Sequence, residues 1–162
     1  MGVAESGGVR RGTVEPSECG GNVDSRLLTV GSRLYLPVQV DGAGFYVGDP
    51  HFSQGNGEVS LTAWEASLRA DLRVSVVPRS VFVDRCGPMR GPVVETASSI
   101  VATGRGYTLD DALRSCVDES LRIVMSTACM DERHAYAYLS AAAEFDVSEA
   151  VDVRQGIHAV IR

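Results

Sequence analysis

Between Leu34 and Val40 the apolar residues Leu34, Leu36, Val38 and Val40 alternate with Tyr35, Pro37 and Gln39, the two-residue period of a half-buried strand. Pro37 lacks the amide proton that a ladder needs, which places this strand at a sheet edge or a bulge. Asp41 to Gly44 reads as a turn and Phe45 to Val47 as a short return strand, so the stretch predicts a β-hairpin. The same period is clearest from Ala66 to Val76, where Leu68, Ala70, Leu72, Val74 and Val76 alternate with Arg69, Asp71, Arg73 and Ser75. Beyond a Gly/Pro connection from Cys86 to Pro92, Val93 and Val94 and then Ile100 to Ala102 predict two short strands.

The period then changes to that of a helix. Thr108 with Asp111 three residues on forms a capping-box-like start, and Leu109, Ala112, Leu113, Cys116, Val117, Leu121 and Val124 follow at helical spacing to about Ala128. A second helix is predicted from Asp131 to Glu144, with Ala135, Tyr138, Leu139, Ala142 and Ala143 on one face. A terminal strand from His158 to Ile161 closes the chain. Strands first and helices later predict an α+β fold: a β-rich N-terminal portion of hairpins and mixed sheet, two helices and a final strand. Residues 1–18, rich in Gly, Glu and Ser without either period, predict a flexible or extended arm, and residues 19–162 a single domain.

Composition narrows the function. At 162 residues, 44% hydrophobic and 22% charged, the chain is long enough to bury one core. No apolar run approaches the length that spans a bilayer, and no charged-then-apolar leader opens the sequence, which predicts a cytoplasmic protein without membrane partners. A net charge of -6 argues against a nucleic-acid partner, since phosphate binding needs clustered cations. All fifteen basic residues are Arg, so Schiff-base chemistry and a phosphate-loop Lys are excluded, and no nucleotide cofactor is expected. The cysteines, Cys19, Cys86, Cys116 and Cys129, lie far apart without a CxxC pair and read as reduced thiols. Cys19 would act as a nucleophile only if a neighbouring base lowered its pKa.

The loop Gly48 to Glu58 gathers Asp49, His51 and Glu58 among glycines, a set able to hold a borderline metal ion or position a water. By composition alone such a loop is more often a solvated turn. Upstream, CGGNVD from Cys19 to Asp24 is a second Gly-rich turn carrying Asn22 and Asp24, whose ordinary reading is an Asx turn. His134 reads as an exposed helix residue and His158 as a structural one. Glu144, Asp146, Glu149 and Asp152 read as a solvated acidic face.

Taken together, the stretch CGGNVDSRLLTVGSRLYLPVQVDGAGFYVGDPHFSQGNGEV resembles a characteristic segment of the acetamidase/formamidase family, approximately HGGNxD followed by GSxLYLPVxVxGAxFxxGDxHxxQGxGE. The matches include Gly20, Gly21, Asn22, Asp24, Leu34 to Val38, Gly48, Asp49, His51, Gln54, Gly55, Gly57 and Glu58, with spacing kept. A weaker likeness continues through SAAAEFDVSEAVD, Ser140 to Asp152. Three positions depart from the family pattern: Cys19 stands for its His, Asn56 for an acid, and Ala143 to Asp146 for its GDLR.

This resemblance implies hydrolysis of a short amide to a carboxylate and ammonia, with a divalent metal, zinc or calcium, and a homodimer or larger homo-oligomer. On that implication Asp24, Asp49 and His51 are the metal ligands, Glu58 and His51 the catalytic pair, and Asn22 and Gln54 the substrate-binding residues. Two other classes stay open: a scaffold repurposed for cyclisation, elimination or isomerisation, and a half that needs a companion chain.

Overall fold

Helix α2 (Leu109–Thr127) begins where the Thr108 hydroxyl accepts the Asp111 amide, and it buries Ala112, Cys116 and Val124 of the expected stripe together with Ile123, while Leu109 and Leu113 stay exposed. The computed structural model describes residues 1–8 and 10–162. Five strands form an antiparallel sheet in the order β1 (Arg33–Tyr35), β4 (Val93–Glu95), β5 (Ile100–Gly106), β7 (Gln155–Ile161) and β6 (Glu144–Glu149). A separate ribbon pairs β2 (His51–Ser53) with β3 (Trp64–Glu65).

α2 lies across β5 and β7, and Val93, Ala102, Ile123, Leu139, Ile157 and Ala159 close the core between helix and sheet. Fully burying each large aliphatic side chain there stabilises the fold by about 1.5–3 kcal/mol. Gly104 permits this approach: a Cβ on it would stand 2.1 Å from the Cys116 amide nitrogen. Helix α3 (Glu132–Ala142), capped by Asp131 on the His134 amide, lays Ala135 and Leu139 on the same core.

The α+β class, the two short strands, the long helix and the terminal strand stand as the periodicity predicts. Four elements differ. The residues from Ala66 to Val76 form no strand; every side chain from Trp64 to Ser80 is exposed, and after the Ala66 amide, which donates to the Pro50 carbonyl at 3.2 Å, no strand pairs with the segment. Alternation supplies a face for burial, but a strand also needs a neighbour to accept its hydrogen bonds.

The expected hairpin is also replaced. β1 stops at Tyr35, two residues before Pro37, and pairs with β4, while Tyr46 exchanges hydrogen bonds with Gly2 at 3.1 and 2.9 Å. Gly2 also bridges Gly20, so the start of the chain lies between the two Gly-rich segments, with Val3 buried. A third helix, α1 (Arg79–Cys86), follows Pro78; its Val-rich sequence buries only Phe82 and Cys86, too narrow a stripe to read as a helix. Finally, α3 ends at Ala142, and Glu144 opens β6 instead of closing the helix. None of the described helices is long and apolar enough to cross a membrane.

Candidate active site

Three segments meet at the end of β6: the turn at Asp24, the loop Gly48 to Glu58 and the β6–β7 connection. Backbone hydrogen bonds sew them together. The Gly57 amide donates to the Ser148 carbonyl at 3.0 Å, and the Ala150 amide to the Gly57 carbonyl at 2.8 Å. The Gln54 Nε2 donates to the Asp24 carbonyl at 2.7 Å and reaches Glu58 Oε2 at 3.4 Å. Asp24, Asp49, Glu58 and Asp152 all have positive φ, 38°, 54°, 40° and 65°. A non-glycine residue there carries backbone strain of about 1–3 kcal/mol, a cost concentrated at functional sites.

His51 is the hub. Its Nδ1 lies 3.2 Å from Gln54 Oε1. Because the Gln54 nitrogen is committed to the Asp24 carbonyl, its oxygen must accept, so the network assigns the imidazole proton to Nδ1 and leaves Nε2 with a free lone pair. That nitrogen is buried and lacks a hydrogen-bond donor, yet it faces Asp49 Oδ1 at 3.4 Å and Glu58 Oε1 at 3.9 Å. A lone pair held against two carboxylates repels them unless a proton or a metal cation sits between, and an imidazole oriented through its other nitrogen is the usual metal-ligand arrangement. The residues therefore fit a divalent cation.

Asp24, His51 and Glu58 offer ligand atoms within 4.8 Å of one another, as do Asp49, His51 and Glu65, and also Asp24, Glu149 and Asp152. The imidazole is shared by the first two sets and Asp24 by the first and third. Asp49 and Asp24 thus flank His51 in separate sets. Asn22 directs its Nδ2 to the Val14 carbonyl at 3.2 Å, and Gln54 spends its amide on His51, Asp24 and Glu58.

Crowding of acids sets the electrostatics. Burial, reinforced by the Asp24 charge and opposed by His51, pushes Glu58 up to about 7. Burial, joined by the Asp24 carboxylate and opposed by Arg105, pushes Glu149 up to about 10. Asp24 is raised by burial to about 6 and titrates together with its neighbours. For His51, burial disfavours the imidazolium, but the Gln54 hydrogen bond and the Asp49 and Glu58 charges outweigh it and raise the pKa.

Glu149 and Asp152 correct the sequence reading of a solvated acidic face. Glu144 and Asp146 are exposed, but Glu149 is 1% exposed and directed into the cluster. Glu65, from β3, is a further acid the sequence did not single out. The signal for Glu149 lies in register: it stands opposite Gly156, whose missing Cβ leaves room for the carboxylate, a pairing visible only once β6 and β7 are aligned. His134 is exposed on α3 and His158 is buried with its Nδ1 2.8 Å from Ser148 Oγ, both as the sequence implied. Cys19 is buried and its pKa is raised, first by burial and then by Glu5 and Glu18, so it is not an activated nucleophile. Two hollows of about 410 Å³ beside Ile123 and Tyr138 and about 440 Å³ beside Glu18 and Arg122 contain none of the clustered residues; donor chemistry, not depth, marks the site.

Residues 3–161 match the model of the Acetamidase/Formamidase family. The chain belongs to the acetamidase/formamidase family. It is similar to the formamidase of Methylophilus methylotrophus, 38% identical over 109 residues, which are 67% of this chain and 25% of that one. It is also similar to the acetamidase of Mycolicibacterium smegmatis, 54% identical over 66 residues, 40% of this chain and 16% of that protein. Among solved structures, the acetamidase of Bacillus halodurans superposes with a TM-score of 0.78 at 21% identity, covering 99% of this chain and 52% of that one. The predicted acetamidase/formamidase of Thermoanaerobacter tengcongensis gives 0.80 at 23%, covering 99% and 50%. These superpositions establish the shared α+β fold, and the chain spans about half of each solved relative. The aligned stretches take in a quarter or less of the curated ones.

Proposed function

We propose that this protein hydrolyses the C–N bond of a small amide with the help of a divalent metal. The observation that carries the reading is the free Nε2 of His51, bracketed by carboxylates, beside a Glu58 whose pKa lies near neutrality. His51 and Asp24 would hold the cation with Asp49 flanking, and a cation bound there supplies Lewis acidity for the amide carbonyl and for water. Zinc suits the imidazole-containing set. The family names borne by its relatives support the amide as substrate class.

Glu58 is the proton carrier. With a pKa of about 7 it is ionised in part of the population at neutral pH, ready to accept a proton from water as the water oxygen attacks the carbonyl carbon. The same carboxyl then returns that proton to the nitrogen as the C–N bond breaks. Amide and water become carboxylic acid and ammonia, which leave at neutral pH as carboxylate and ammonium. Gln54 positions rather than reacts: it fixes the His51 tautomer and ties the loop to Asp24. The four free cysteines fit a reducing cytoplasm. Ammonia release from formamide and acetamide tests the reading: chelation is expected to stop it and added zinc to restore it, whereas release unaffected by chelation would remove the metal from the account.

We infer also that a second copy of this chain covers the exposed arm that carries Trp64, Leu68, Leu72, Val74 and Val76. The sequence is self-complementary about Ala70. In an antiparallel pairing centred there, Arg69 of each copy meets Asp71 of the other and Leu68 meets Leu72, while Ala66 meets Val74 and Trp64 meets Val76. Light scattering is expected to return a dimer. Asp71→Arg, which sets Arg against Arg69, should shift it to monomer; a wild-type monomer would overturn this pairing.

A further inference from the structure

Glu65 stands across the β2–β3 ribbon from His51, and with Asp49 and His51 it offers ligand atoms within 4.8 Å of one another. Its carboxylate accepts a hydrogen bond from Thr62 Oγ1 at 2.8 Å, and among the described residues no arginine reaches it. Arg73, eight residues on, is exposed and forms no ion pair among the described residues. The two cannot meet within one copy. From Ala66 to Pro78 the backbone runs without turn or bend, so the steps between them span about 26 Å at the rise of a strand.

Across two copies they do meet. This step rests on the antiparallel pairing of the arm about Ala70, in which Glu65 faces the partner's Ser75 and Ser67 faces the partner's Arg73. Side chains alternate along a strand, so Glu65, Ser67 and the partner's Arg73 share one face with His51. The partner's Arg73 then stands one diagonal step from Glu65, about 7–8 Å between strand positions and within reach of a long side chain. One edge of Glu65 is taken by β2, and the other is open to the second copy.

We propose that the active site is shared between two copies: the partner's Arg73 forms an ion pair with Glu65 and holds that carboxylate beside Asp49 and His51. Two carboxylates placed side by side repel each other, and a guanidinium on the outer one offsets that repulsion while its fork fixes the orientation. Arg73 is thus a positioning residue that acts through Glu65 of the other copy. It brings a cation to a mouth that this chain lines with acids.

Three measurements separate the arm pairing, the shared site and the amidase reading. Ala70→Cys puts a thiol on the two-fold axis, where it meets its own counterpart, and mild oxidation should give covalent dimers well above the background set by the exposed Cys129. Absence of that cross-link would overturn the pairing and the shared site together. Co-expression of Glu58→Gln with Arg73→Ala reads the sharing itself, because the mixed dimer has one whole site, with Glu58 from one copy and Arg73 from the other. Arg73→Ala alone should lower kcat/KM for formamide about 10- to 100-fold, the loss typical of a group that orients a metal-site residue, and Arg73→Lys should lower it less. The co-expressed pair should recover about a quarter of wild-type activity, since random assortment makes half of the dimers mixed and each carries one whole site. A pair no more active than its two parents would confine Arg73 to its own chain and overturn the proposal, even with the cross-link formed. Zinc affinity supplies a readout that stands whether or not an amide is turned over. Arg73→Ala should weaken zinc about tenfold in the wild type and leave it unchanged in a Glu65→Gln background, while equal losses in both backgrounds would overturn the role assigned to Glu65.

Discussion

Replacing Glu58 by Gln is expected to lower kcat for formamide hydrolysis by about 100- to 10,000-fold, the range typical of removing a general acid–base group. The substitution keeps the shape of the side chain and its place at φ 40°. It removes only the ability to carry the proton. The fold should survive, since a carboxylate whose pKa is raised by burial is a destabilising group when ionised. Zinc content separates two roles for the residue. Activity lost with the zinc retained makes Glu58 the proton carrier; activity and zinc lost together would move it into the ligand set. In the wild type, kcat/KM should rise with pH through about 7 as Glu58 ionises, and that limb should vanish in the variant.

Stability of the metal-free protein should increase as the pH is lowered from 8 toward 6.5. The sign follows from linkage. Glu149 and Glu58 have folded pKa values of about 10 and about 7, above their ordinary ones, so throughout this range for Glu149 and below about 7 for Glu58 the native state holds a proton that the unfolded chain releases; Asp24, raised to about 6, adds to the trend only below that pH. Each such group then costs about 1.4 kcal/mol per pH unit as the pH rises through that window. His51, also raised, acts in the same direction, contributing stability at low pH that is lost as the pH rises through its folded value. His158, lowered by burial, opposes them once the pH falls below its ordinary value, which limits the gain on the acid side.

Glu149→Gln should stabilise the metal-free protein at pH 8 by about 3 kcal/mol and flatten the pH dependence, because it removes an acid buried to 1% exposure. Urea unfolding at pH 6.5 and 8 in the presence of a chelator reads both effects. A variant less stable than the wild type at pH 8 would show that the Glu149 charge is compensated in the native state.

Legibility of the fold followed the reach of each signal. α2 was readable because its cap and its apolar stripe are local, contained in Thr108 to Val124. β4, β5 and β7 were readable because short apolar runs bounded by turns bury in one common core whatever their order. The segment Ala66 to Val76 has equally good alternation and forms no strand, because pairing depends on a neighbour that its own sequence does not contain. Likewise Tyr46 pairs with Gly2 because a distant segment competes for the hairpin's edge.

The site divides along the same line. Asp49, His51, Gln54 and Glu58 share one loop, so their spacing alone suggested joint chemistry, and the family resemblance added Asp24. The structure brings all five together. Glu149 was hidden because an acid within a run of acids looks solvated until the register sets it against Gly156. Asp152 was hidden for the same reason, since only the bend after β6 returns it toward Asp24.

The most direct test follows isotopically labelled formamide by NMR in the presence of the purified, zinc-loaded protein. Formate and ammonium appearing in equal amounts, absent with Glu58→Gln, is the predicted result. Formamide and acetamide both left intact by a folded, zinc-bound protein would contradict amide hydrolysis by this site.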